Sequence, residues 1–145
     1  LTKDEEMRVT PVFLAMAVLL FLANRATAQQ TSGSKPAASV LELMKSVVIP
    51  ASDTVFGVGK EAPRTDKDWA AVQDSAAKLN EAAKQMMRQA PSTNGANWAK
   101  YSKAMSDAAE AAGKAAQAKN VDAVLDSGDV LYGTCEDCHK QYMKK

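Results

Sequence analysis

Apolar residues recur at alternating three- and four-residue steps along four stretches of the chain, the period of an amphipathic helix. The first stretch runs through Leu41, Met44, Val48, Ala51 and Val55. Ser39 stands ahead of it with Glu42 three residues on, a capping-box pattern. Pro50 falls inside and should bend the helix, because it removes a hydrogen bond and crowds the preceding turn; Gly57 and Gly59 mark the end. After a loop containing Pro63, Thr65 or Asp66 caps a second helix with inner stripe Trp69, Val72, Ala76, Leu79, Ala83 and Met86. The run from Pro91 to Gly95 closes it. A third stripe carries Trp98, Tyr101, Met105, Ala108, Ala112 and Ala115, where alanines let neighbouring backbones approach. Asn120 stops the third helix and caps the fourth, whose stripe is Val121, Val124, Leu125, Gly128, Leu131, Tyr132, Cys135, Cys138, His139 and Tyr142. With short loops and no alternating strand pattern, the expected fold is all-α, an antiparallel up-down-up-down four-helix bundle.

Upstream of the bundle the pattern changes. Met7-Arg8 opens a basic stretch, Pro11 to Leu22 is uninterruptedly non-polar, and Ala26-Thr27-Ala28 is a small-x-small cleavage site. The apolar run is shorter than the roughly 20 residues a bilayer span requires, which favours a cleaved signal over its alternative, an uncleaved N-terminal anchor. Residues 1–28 therefore read as an upstream extension plus a cleaved secretory signal peptide, 29–37 as a flexible polar linker and 38–145 as the bundle domain. The expected location is the periplasm, with no stable membrane span after cleavage. A formal net charge of +1 and the lack of any Lys/Arg-rich block give no reason to expect nucleic-acid binding.

The candidate chemistry sits near the end of the fourth stripe. Cys135-Glu136-Asp137-Cys138-His139 has the spacing of a c-type haem attachment site. On a helix, Cys135, Cys138 and His139 occupy i, i+3 and i+4 and share one face, so both thiols and the imidazole reach one cofactor. The chain holds two cysteines and one histidine in all. A structural zinc site would need a second ligand pair, which does not exist here. A thioredoxin-like dithiol would follow a strand, and a plain disulfide is the remaining rival. The motif thus points to one covalently bound haem c, with Cys135 and Cys138 as thioethers and His139 as the proximal iron ligand. Trp98, Tyr101 and Tyr142 lie at helix ends level with the motif and are expected to line the pocket, although the same spacing suits core packing. Met86, Met87 and Met105 read most simply as adaptable packing.

The motif followed by Tyr142, together with Leu43-Met44-Lys45 in the first helix, resembles the cytochrome c′ group, the class II c-type cytochromes. The resemblance covers roughly residues 38–145. It implies an exported single-haem protein and, as in the low-spin relatives, a methionine at Met44 as the distal iron ligand. Helix heights alone leave Met44 and Met86 as alternatives. Two positions depart from the group's pattern: Met143 stands where many relatives carry a basic residue, and Val40 where many high-spin members have arginine. Partners for the haem propionates therefore do not carry over, and Lys45, Lys140 and Lys144 are the candidates. The implied function is one-electron transfer with redox partner proteins rather than enzymatic catalysis. The alternative is a five-coordinate haem protein binding NO or CO, which needs an open sixth position. A peroxidase would need a distal base, and the sole histidine is committed to iron. Homodimerisation and docking within a larger redox complex are both compatible with the sequence.

Overall fold

The computed structural model describes residues 39–143; the expected extension, signal peptide and linker, with Lys144 and Lys145, lie outside the described residues. Four helices pack together, with no strand among the described residues. Helix α1 is composite: α-helical Val40–Leu43, a π-helical turn Met44–Val48, then α-helical Ile49–Gly57. It is followed by α2 (Asp66–Met87), α3 (Gly95–Gln117) and α4 (Val121–Tyr142). Each helix packs on the next in sequence, and α1 also touches α4.

The helix starts follow local chemistry. Ser39 and Glu42 form the reciprocal capping box, Ser39 N–H donating to Glu42 Oε2 at 2.8 Å and Glu42 N–H to Ser39 Oγ at 3.2 Å. Thr65 caps α2 in the same way with Asp68, and Asn120 Oδ1 accepts from Ala123 N–H at 3.0 Å to open α4. Backbone and side-chain hydrogen bonds from Thr65 hold the Asp68 carboxyl below its usual range. A depressed carboxyl pKa contributes stability that is present at neutral pH and lost as pH falls through the folded-state value. Thr65→Ala removes the hydroxyl that accepts from Asp68 N–H and, as the loss of a helix cap, should cost about 1 kcal/mol in urea unfolding at pH 7.

The inner stripe expected for α2 is buried at every position, from Trp69 to Met86. Along α3, Ala108, Ala109, Ala112, Ala115 and Ala116 are all buried, so the α2–α3 seam is built from small side chains. On α4, Val124, Gly128, Leu131 and Cys138 face inward, whereas Leu125 and Tyr132 are exposed. Neighbouring residues on a helix point about 100° apart, so Val124 and Leu131 exclude Leu125 and Tyr132 from the same face. Tyr132 turns instead to the gap beside α1, where its ring meets Phe56 edge-on at 6.2 Å.

Helix α1 departs most from the expected stripe. Leu41 is 62% exposed, and Leu43, at 3%, takes its place in the core. The cause is the π turn: Ile49 N–H donates to Met44 O, five residues back instead of four. One extra residue in that turn aligns Leu43 with Val48 and shifts everything before it by one position. Pro50 sits in the first turn of the α-helical segment that follows.

Candidate functional site

Between α1 and α4 lies a cavity of about 910 Å³, within the range of small-molecule and cofactor sites. Helix α4 contributes Tyr132, Thr134, Cys135, Glu136, Cys138, His139 and Lys140, and α1 contributes Met44, Val48, Ile49, Ser52 and Phe56. Met86 of α2, Tyr101 and Met105 of α3, and Met143 complete the wall. The two thiols, the imidazole and Met44 therefore meet at one space, as do Met86 and Met105. The wall residues Ile49, Ser52 and Phe56 had escaped the sequence reading. Their own three- and four-residue spacing flanks the core stripe and was the available signal.

Of the three aromatic residues expected to line the pocket, Tyr101 does so. Trp98 and Tyr142 instead form a supporting layer, and their hydrogen bonds explain why. Trp98 is buried, and its Nε1–H donates to Met86 O at 2.7 Å. Its ring stands edge-on to Tyr142 at 5.0 Å, and Tyr142 is in turn edge-on to Tyr101 at 6.5 Å. The Tyr142 hydroxyl donates to Asn94 O at 2.6 Å. Asn94 adopts a left-handed conformation, φ 59°, which asparagine tolerates better than most residues. Trp98→Phe should cost about 2 kcal/mol in denaturant unfolding: about 1 for the hydrogen bond, since Met86 O keeps Gln89 N–H as a donor at 2.9 Å, and the rest for the volume lost from a buried site.

Both cysteines are free thiols. Burial pushes the Cys135 thiol up, reinforced by the neighbouring Cys138, and burial likewise raises Cys138. The pair therefore stays protonated at neutral pH, the opposite of the depressed attacking thiol of a dithiol oxidoreductase. No family model, curated protein or solved structure matches this chain. Among the described residues no three His, Cys, Asp or Glu side chains are grouped to hold a metal ion on their own.

The donor set suits a macrocycle that brings its own metal. Two neutral thiols and an exposed imidazole stand on one helix face, with soft thioethers and apolar side chains around them. Lys140 borders the same cavity and pairs with Glu136 at 3.0 Å and Asp137 at 3.9 Å, so its charge is already partly satisfied. Lys45 is exposed, and Lys144 lies outside the described residues.

Proposed function

We propose that this chain is an exported single-haem c-type cytochrome that carries one electron at a time between redox partner proteins. The observation carrying the reading is the convergence of Cys135, Cys138, His139 and Met44 on one cavity of about 910 Å³. Cys135 and Cys138, both free thiols at the cavity, would hold the haem through covalent thioether bonds. His139 and the Met44 thioether, which border the same cavity, would hold the iron. When bound, haem supplies a reversible one-electron couple at iron. The chain's contribution is to hold it in an apolar wall and to set its potential through thioether ligation, which favours the ferrous state.

The antiparallel up-down-up-down arrangement belongs to the same proposal. It is supported by Trp98, near the start of α3, reaching Met86 at the end of α2. It is supported too by Tyr142, at the end of α4, reaching Asn94 just before α3, and by Lys119, after α3, pairing with Asp66 at the start of α2 at 2.6 Å. No helix among the described residues is long and apolar enough to cross a membrane. Export removes everything through Ala28 on this reading, so N-terminal sequencing of periplasmic material should begin at Gln29.

Ferric and ferrous absorption spectra of the matured protein, with and without CO, test the function directly. A low-spin spectrum indifferent to CO is expected. A high-spin spectrum with ready CO binding would replace electron transfer by gas binding at a five-coordinate iron.

A further inference from the structure

The π turn in α1 decides which residue stands over the cavity. Ile49, Ser52 and Phe56 line the cavity in three- and four-residue steps. Continued backward as a regular α-helix, the middle of that row reaches Lys45, four residues before Ile49, and Met44, four before the lining residue Val48, is left at its edge. With the wider turn it reaches Met44 instead, since Ile49 N–H bonds to Met44 O. Met44 accordingly lines the cavity, and Lys45 points to solvent.

Hydrophobic burial does not choose between the two registers. The observed one buries Leu43, with Val40, Met44 and Val47 packed partly buried against the core; the regular one would bring Leu41, in place of Leu43, and Met44 into line with Val48 and Ala51. The main exchange is one leucine for another, so the transfer terms differ little. Pro50 breaks the tie. Within a regular helix it would leave Ser46 O without its donor and press its ring against that carbonyl. In the observed register it stands in the first turn of the segment Ile49–Gly57, directly after the widened turn, the position in a segment that tolerates proline best. Ser46 Oγ–H donates to Glu42 O at 2.6 Å, a side-chain bond across the same stretch of the kind that accompanies bent helices.

We infer that Pro50 is a positioning residue: by holding the Met44–Val48 turn open, it presents a thioether rather than the Lys45 ammonium to the cavity. The inference rests on the reading of the cavity as a haem site ligated by Met44. Pro50→Ala restores a backbone donor and lets the helix close. Two measurements on the matured ferrous protein read the outcome by NMR: the upfield-shifted methyl signal of an iron-bound methionine, and the core contacts of the Leu41 and Leu43 methyls. Pro50→Ala should abolish the upfield signal and exchange Leu43 for Leu41 in the core. Adding Lys45→Met to that variant should restore the signal, because position 45 now stands over the cavity.

Retention of the Leu43 contacts in Pro50→Ala would overturn the inference, as would a register shift that leaves the upfield signal in place. So would failure of Lys45→Met to restore it. The underlying reading is checked separately by Met44→Leu. If that variant abolishes the signal while Pro50→Ala does not, this inference alone falls; if it leaves the signal intact, Met44 is not the ligand and both fall.

Discussion

Matured in a bacterium that assembles c-type cytochromes, the chain is expected to gain the mass of one haem that survives acid-acetone extraction. The double variant Cys135→Ala, Cys138→Ala should lose that covalent mass entirely, because these are the only thiols in the chain. Their place at i and i+3 on α4, at one cavity, leaves no substitute sulfur for the thioether bonds. His139→Ala should keep the covalent mass and lose the proximal ligand, separating attachment from ligation. Stability should follow occupancy, since the attached haem, present in both states, would fill the cavity and meet its protein ligands only in the folded one. Mass spectrometry of the extracted polypeptide checks the first claim and thermal unfolding the second. Extractable haem in the unmutated protein, or none, would sink the cytochrome reading.

Met44→Leu is expected to convert a low-spin protein indifferent to CO into a five-coordinate one that binds it. Leucine and methionine have similar volumes, so the exchange should cost less than about 1.5 kcal/mol of stability. A change of spin state would therefore report the lost thioether and not a damaged bundle. Met86→Leu is the control that separates the two methionines. Met86 is 3% exposed and sits in the core row of α2, with its carbonyl bound by Trp98, whereas Met44 is only partly buried on the α1 side of the cavity. The Met86 variant should keep the low-spin spectrum. Optical titration with CO of both variants distinguishes the outcomes.

The inner faces of the alanine-rich helices α2 and α3 were legible from the sequence, and that of the first helix was not. Trp69, Val72, Ala76, Leu79, Ala83 and Met86 keep a 3.6-residue period without interruption, so counting alone found their face. The capping residues Ser39 and Asn120 were legible from side-chain chemistry, and the choice between Thr65 and Asp66 fell to Thr65 in the structure. In α1 the same counting assigned Leu41 to the core in place of Leu43, because a period template has no room for one widened turn. Pro50 was the visible signal, but a proline can be accommodated by a bend or by a π turn, and only packing decides between them. For Trp98 and Tyr142, height along the bundle was readable. Whether a ring faced the cavity or stood behind it depended on side-chain hydrogen bonds with partners far away in sequence.

The placement of the indoles equips the molecule with an optical gauge. Trp69 begins α2, and Met86, whose carbonyl Trp98 grips, lies 17 residues further along the same helix, a rise of about 25 Å. One indole thus abuts the cavity wall and the other sits far from it. Energy transfer to an absorbing ring falls steeply with distance, so Trp98 emission should be extinguished by cofactor loading far more completely than that of Trp69. Fluorescence of a Trp69→Phe variant would then follow haem insertion during maturation, free of background from the distant indole.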